Sequence, residues 1–392
     1  MSGIVKKFIE ENGLKDFAHS IKDRPIINYF NTKYENNVLI SYITYPFRQG
    51  IKLIHTNYIE SLIIANIFKE LGYNVDIISY RYCRDIDYSK YQVIFGFGEP
   101  LERSFYKRNS KIITIHYATG MHTFYQNTMS LKRIEEVYHK KGVWILESGR
   151  IIDKAWSAQK VLVDAMIVLG NEEVVNSYKK FFSKKIYSLP PCFYKVYDPY
   201  EIIKQKDFLK AKYNFLFFSG AGLIHKGLDL LLDIFKETKR LNLHICGPID
   251  REQKFRKTYY DELYNTTNIH TYGFVNLDSN IFKELLLKCG FVVFPSCSEG
   301  GSPSVLNVMG NGGLIPIITK ESSIDIQDFG ILIDDLSIES VKKSILEAIS
   351  LEYNEIKERS IKCVDYVLNN HSVEAFSANL KKYLMEIIEN CK

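Results

Sequence analysis

GFVVFPSCSEGGSPSVLNVMGNGGLIPIIT, residues 290–319, runs from one continuous apolar segment to another through a small-residue loop and a helical pattern at 302–311. A segment that is apolar at every position is a strand buried on both faces. Two such strands joined by a helix form a parallel βαβ unit. Within the loop stands one carboxylate, Glu299, followed by Gly300, Gly301 and Ser302, whose backbone is almost bare of side chains.

The same alternation extends outward in both directions. FLFFSG (215–220), LHICGP (243–248), NIHTYGFV (268–275) and GILID (330–334) are further strand patterns, with helical patterns at 226–237, 251–265 and 278–288. An earlier series, VLISYITY (38–45), NVDIIS (74–79), QVIFGFG (92–98), KIITIHYA (111–118) and AMIVLG (165–170), has the same character. Between the two series SLPPCFYKVYDPYEIIKQKDF (188–208) has prolines, charges and no clean period, so a domain crossing is expected there. The expectation is an α/β chain of two doubly wound, Rossmann-like domains facing across a cleft, at 38–200 and 201–372. A helical extension at 1–37 would precede them, and a final helix at 373–392 would pack back toward the first domain. Ligands of such sheets bind beyond the carboxyl ends of the strands.

Composition narrows the function classes. The chain has 392 residues, 46% hydrophobic and 25% charged, with a net charge of +5. That balance is too mild for a nucleic-acid binder, and no apolar run is long enough to span a bilayer. The start, MSGIVKKFIEENGLKDF, reads as an amphipathic helix and not as a signal peptide. The seven cysteines lack paired or metal-ligand spacing, as expected of reduced thiols in a cytoplasmic protein. Basic clusters at Lys107, Arg108 and Lys111, and at Lys132, Arg133, Lys140 and Lys141, fit a solvated face or a peripheral contact with the inner face of the cell membrane. Asp85 and Asp87 form a DxD pattern, but it lies in a polar connection and is too short to argue for a metal; no metal site is expected.

Four strand-end loops hold the chemistry-bearing residues. In SGAGLIHKG, Gly220 and Gly222 leave a strand and Lys226 stands at a helix start, which suits a phosphate. His225 breaks the dinucleotide fingerprint, and the Lys-Gly order breaks the P-loop pattern. In the opening stretch, Glu299 would accept from a hydroxylated ligand while the amides of Gly300, Gly301 and Ser302 donate; Ser302 is also a helix-cap candidate. His116 ends a strand and His122 follows a glycine turn; Arg48 and Gly50 follow the first strand. All four could line the cleft.

These motifs, in this order, resemble the retaining GT-B glycosyltransferases of family 4, also called group 1 glycosyl transferases. The resemblance covers about 38–390. It implies that SGAGLIHKG holds the donor diphosphate and that Gly273, Phe274 and Val275 meet the nucleotide base. It further implies that Glu299 is the catalytic-site acid of a Glu-x7-Glu motif and that His116 contacts the donor sugar. Two positions depart from the family: Ala221 stands in place of an arginine, and Asn307 replaces the second Glu, a ribose contact. Arg48, His225 or another cation would have to supply the missing charge. The implied function is transfer of a sugar, with retention and without a metal or other cofactor. The donor would be a nucleotide-diphosphate sugar, the acceptor a glycan or lipid-linked molecule, and the setting bacterial surface polysaccharide assembly. Other readings are a non-catalytic GT-B partner subunit and a sugar-nucleotide epimerase.

Overall fold

The computed structural model describes residues 24–107 and 111–391. Two parallel six-stranded sheets form the two domains. The first holds β1 (Asn36–Tyr42), β2 (Tyr73–Ser79), β3 (Val93–Gly96), β4 (Ile113–Ala118), β5 (Ala165–Leu169) and β6 (Ile186–Leu189), in the order β2-β1-β3-β4-β5-β6. The second holds β7 (Asn214–Phe218), β8 (Asn242–Cys246), β9 (Ile269–Gly273), β10 (Phe291–Phe294), β11 (Ile315–Thr319) and β12 (Ile331–Ile333), in the order β12-β11-β10-β7-β8-β9. The second is the dinucleotide-fold order, reversing direction between β7 and β10; the first reverses between β1 and β3. At these reversals the connecting helices leave to opposite sides, and a crevice opens at the carboxyl ends.

The central strands are apolar because helices cover both faces. Val292, Val293, Ile317 and Ile318 have at most 1% exposure, and β10 pairs with β11 from Phe291↔Ile315 to Phe294↔Ile318.

The sequence-based boundaries shift at three places. Of the expected helical extension at 1–37, residues 1–23 lie outside the described residues. Residues 24–35 are not helical: Ile26 forms an antiparallel bridge with Ile77 at the edge of β2, with N–H···O distances of 2.8 Å both ways. The stretch expected to be a crossing at 188–208 begins inside β6 and ends in two short helices, Pro199–Gln205 and Phe208–Ala211. The final helix, Val373–Cys391, lies on the first domain, where Phe376, Leu380 and Leu384 join the core around Val38 and Ile40.

The basic cluster at 132–141 is not a free face. Helix Thr123–Lys141 of the first domain packs on the second, placing Ile134 and Val137 in that domain's core. Arg133 pairs with Asp229 at 2.6 Å, Lys140 with Asp233, and Lys141 with Glu262 at 3.1 Å. Lys107 pairs with Asp85, and Asp87 accepts from Ser89 N–H and Oγ, so the DxD carboxylates are engaged locally. No helix of the described residues is long and apolar enough to cross a membrane.

Candidate active site

β7 and β10 both end at the crevice, and their loops bring Lys226 and Glu299 together. The Lys226 ammonium donates to Glu299 Oε1 at 2.8 Å, and both side chains are buried. Ser296 Oγ donates to the same oxygen at 2.9 Å. Arg150, from the first domain, reaches Glu299 Oε2 at 3.2 Å. Burial alone would push the Glu299 carboxyl up, but the charges of Lys226 and Arg150 outweigh it and hold it at about 2. Burial lowers the Lys226 ammonium from its ordinary value, with Glu299 opposing. The acid is thus a fixed anion beside two cations.

Above this pair lies a cavity of about 570 Å³ between the domains. Gly220, Ala221, Lys226, Glu299, Gly300 and Ser302 line one side. Phe274 and Val275, with Phe218 and Leu277, give it an apolar end suited to a flat base, while Gly273 lies just outside, its carbonyl accepting from Gly247 N–H at 2.9 Å. Tyr45, His55 and Glu60 face it from the first domain. Solvent reaches His55 through the cavity, yet the enclosing walls lower its pKa to about 4, with Arg150 and Lys226 adding to that effect.

The amides divide into available and engaged. The N–H groups of Gly300, Gly301 and Ser302 take no partner among the described residues. Gly222 differs: its N–H and that of Leu223 donate to the buried Glu252 carboxylate, at 2.6 and 3.1 Å. Its expected contact with a diphosphate is therefore occupied, although Gly220 and Ala221 remain on the cavity. Ser302 adopts a left-handed φ of 42° and donates to Ser322 O at 2.7 Å, so it does not cap the following helix.

Other candidates separate. Asn307 lines the cavity, and its Oδ1 accepts from Tyr194 N–H at 2.9 Å, which uses one of that oxygen's two lone pairs and ties the side chain to the crossing segment. His225 is buried and held near 3 by that burial. Its Nε2 meets Ser298 O at 2.6 Å and must donate, so Nδ1 accepts from Ser130 Oγ at 2.7 Å across the domain boundary. It supplies no charge. Arg48 donates to Arg24 O, and Gly50 ends a short helix; neither lines the cavity. His122 caps helix Thr123–Lys141 and stacks on Phe181, with ring centroids 4.1 Å apart. His116 lines a separate, adjoining cavity.

Arg150 carried no sequence signal of its own; only the deficit at Ala221 asked for such a residue. Its stem lies against the phosphate turn, so close that a Cβ on Gly222 would come within 2.6 Å of Arg150 Cγ. A guanidinium from the opposite domain thus lies beside the turn that carries Ala221.

Residues 199–363 match the family model described as Glycosyl transferases group 1. The matched segment falls within the second domain. The two-domain GT-B fold recurs in solved structures. HepE from Anabaena, in complex with UDP and glucose, aligns over 90% of this chain and 100% of its own, at 10% identity and a TM-score of 0.55. A glycosyltransferase from Rickettsia africae aligns over 91% of this chain and 100% of its own, at 13% identity and a TM-score of 0.57. TarM aligns over 76% of this chain, which spans 54% of TarM, at 17% identity and a TM-score of 0.50. None of the curated proteins matches the sequence. The matched segment begins with helix Pro199–Gln205 and ends within helix Tyr353–Asn370, so it contains both Lys226 and Glu299.

Proposed function

We propose that the protein transfers a sugar from a nucleotide-diphosphate sugar to a glycan or lipid-linked hydroxyl, with retention of anomeric configuration and without a metal. The observation that carries this reading is the Lys226–Glu299 pair at the mouth of β7 and β10, with Arg150 added from across the cleft. The nucleotide base lies against Phe274 and Val275, and the diphosphate meets Lys226, Arg150 and the open amides after Glu299. Glu299 accepts from a hydroxyl of the donor sugar. The bond between the anomeric carbon and the diphosphate oxygen breaks as the acceptor oxygen bonds that carbon on the same face. The acceptor's proton passes to the departing diphosphate. Two fixed cations stabilise the charge that develops there. Bacterial surface polysaccharide assembly on the cytoplasmic side of the membrane is the setting that the sequence resemblance supplies.

The test uses the purified chain with uridine, guanosine and adenosine diphosphate sugars. Transfer or donor hydrolysis is expected with at least one, and magnetic resonance of the anomeric coupling should show the donor's configuration in the product. An inverted product rejects retention. Lys226→Ala should weaken binding of the matching nucleoside diphosphate by about 1.5–3 kcal/mol and leave the free nucleoside unchanged. Equal weakening of both would remove Lys226 from the phosphate site.

A further inference from the structure

The chain crosses from the first domain to the second through residues 190–198, and two asparagines fasten that crossing to helix Pro303–Gly312. Asn307 Oδ1 accepts from Tyr194 N–H at 2.9 Å. Asn311 Nδ2 donates to Tyr194 O at 2.7 Å, and its Oδ1 accepts from the N–H groups of Val196 and Tyr197 at 2.7 and 2.9 Å. The two asparagines stand one helical turn apart, so they face the same segment. Asn311 is fully buried, whereas Asn307 also lines the cavity. The Tyr194 amide proton fixes which end of the Asn307 side chain is oxygen, and its NH₂ takes no partner among the described residues.

The Tyr194 side chain reaches the other way. Its ring joins the second domain's core, and its Oη meets the first domain, donating to His55 O at 3.0 Å with Lys52 O beside it at 3.4 Å. Those carbonyls belong to the loop between helices Tyr45–Gln49 and Asn57–Glu70. The loop supplies Leu53, Ile54, His55 and Thr56 to the cavity wall. Residues 50–55 belong to no helix or strand, and all but Leu53 are exposed. Leu53 packs on the second domain's core, as does Ile59 in the first turn of the helix that follows. One residue of the crossing therefore holds Asn307 by its backbone and the facing wall by its hydroxyl.

The geometry points to Tyr194 as a positioning residue for the donor: it sets the spacing between the His55 loop and Asn307, the two sides that a nucleotide sugar touches together. The inference rests on the transferase reading above. Tyr194 does not itself line the cavity, so it acts through its two partners. Spacing matters because a binding wall displaced by about 1 Å can cost a reaction 10²-fold. The hydroxyl is suited to the task. It is carried by a buried ring, and the carbonyl it holds belongs to the opposite domain.

Tyr194→Phe removes the hydroxyl and keeps the ring. Tyr197→Phe is the matched control, because its Oη donates to Ser279 O at 3.2 Å within the second domain. Steady-state transfer, with the nucleotide sugar that the wild type uses, and hydrogen exchange read by mass spectrometry are measured on the full chain and both variants. Tyr194→Phe should raise the KM for the donor by about five- to ten-fold, the usual effect of one neutral hydrogen bond, with kcat little changed. It should also speed exchange across 57–60, where the Tyr58 and Glu60 amides bond to the His55 and Thr56 carbonyls at 3.3 and 3.0 Å. Tyr197→Phe should do neither. A merely structural hydroxyl would lower the melting temperature and leave KM unmoved. An unchanged KM in Tyr194→Phe, or an equal rise in both variants, overturns the proposal. If the wild type uses no nucleotide sugar, the transferase reading falls, and the exchange comparison decides whether Tyr194 holds the loop; equal exchange in all three proteins would overturn that as well.

Discussion

Glu60 and Glu299 face one cavity and are equally out of water, with exposures of 1% and 6%, yet their carboxyls move in opposite directions. The difference is the company each keeps. Glu299 has Lys226 and Arg150 and falls to about 2. Glu60 has no cation beside it among the described residues: burial raises it to about 7 against weak hydrogen bonds, of which Tyr117 Oη gives one at 3.3 Å. The sign of the pH effect follows from linkage. For Glu60 the folded pKa lies above the unfolded one, so its contribution is full below 4.5 and is lost as pH rises through about 7. For Glu299 the contribution is present above 4.5 and is lost as pH falls through about 2. Buried neutral histidines such as His225 act against Glu60 in the same window, so a difference between two proteins is the proper readout. Denaturant unfolding at pH 5 and pH 8 should show the wild type losing stability relative to Glu60→Gln on the higher-pH side, by about 2–3 kcal/mol. Parallel behaviour of the two proteins would mean that Glu60 does not titrate there.

At the scale of elements, the turn from β7 into helix Leu228–Glu237 depends on one glycine and not on another. Gly227 has φ +74°, and an added Cβ would press on the carbonyl of Pro295 after β10. Gly220 has nothing within 4 Å of such a Cβ. Gly227→Ala should therefore cost about 1–3 kcal/mol of stability while Gly220→Ala costs little, as thermal unfolding will measure. Equal costs would mean that the strand-end packing is not what fixes the turn. The alternation of strands and helices was legible in sequence for β7 to β12: the central strands β7, β10 and β11 are apolar nearly throughout because both faces are covered, while the edge strands β9 and β12, half-buried or exposed in part, were carried by their place in the series. β6 was not: IYSL is short, alternates buried and half-buried residues and runs into Pro190 and Pro191, so it read as linker. The Lys226 and Glu299 loops were legible because both follow a buried strand directly. Arg150 and Glu252 were not, since their roles come from contacts with residues tens of positions away. Asn307 read as a ligand contact, although its carbonyl oxygen serves the crossing segment at Tyr194.

Over the whole molecule, the relative placement of the domains decides whether Arg150 reaches Glu299, and helix Thr123–Lys141 sets that placement. Its strongest tie is Arg133 to Asp229, whose side chains are 3% and 5% exposed. Two charges taken from water contribute little net stability as a pair, but either one left alone is costly. Asp229→Asn keeps the shape and removes one charge, so among the described residues Arg133 would retain only the exposed Glu136 as a carboxylate partner. That variant should lose about 3–5 kcal/mol, the usual cost of breaking a buried pair. Replacing both, Arg133→Met with Asp229→Leu, should recover most of the loss, because apolar groups of similar volume need no partner. The recovery separates a lost charge from a lost shape. Because Ile134 and Val137 of this helix complete the second domain's core, calorimetry of the wild type should show one cooperative transition for both domains. Asp229→Asn should shift that transition downward or split it, and the double variant should return it toward the wild-type temperature. An Asp229→Asn protein as stable as the wild type would mean that the apolar contacts of Ile134 and Val137 hold the domains without the ion pair. The position of Arg150 over Glu299 would then depend on packing alone.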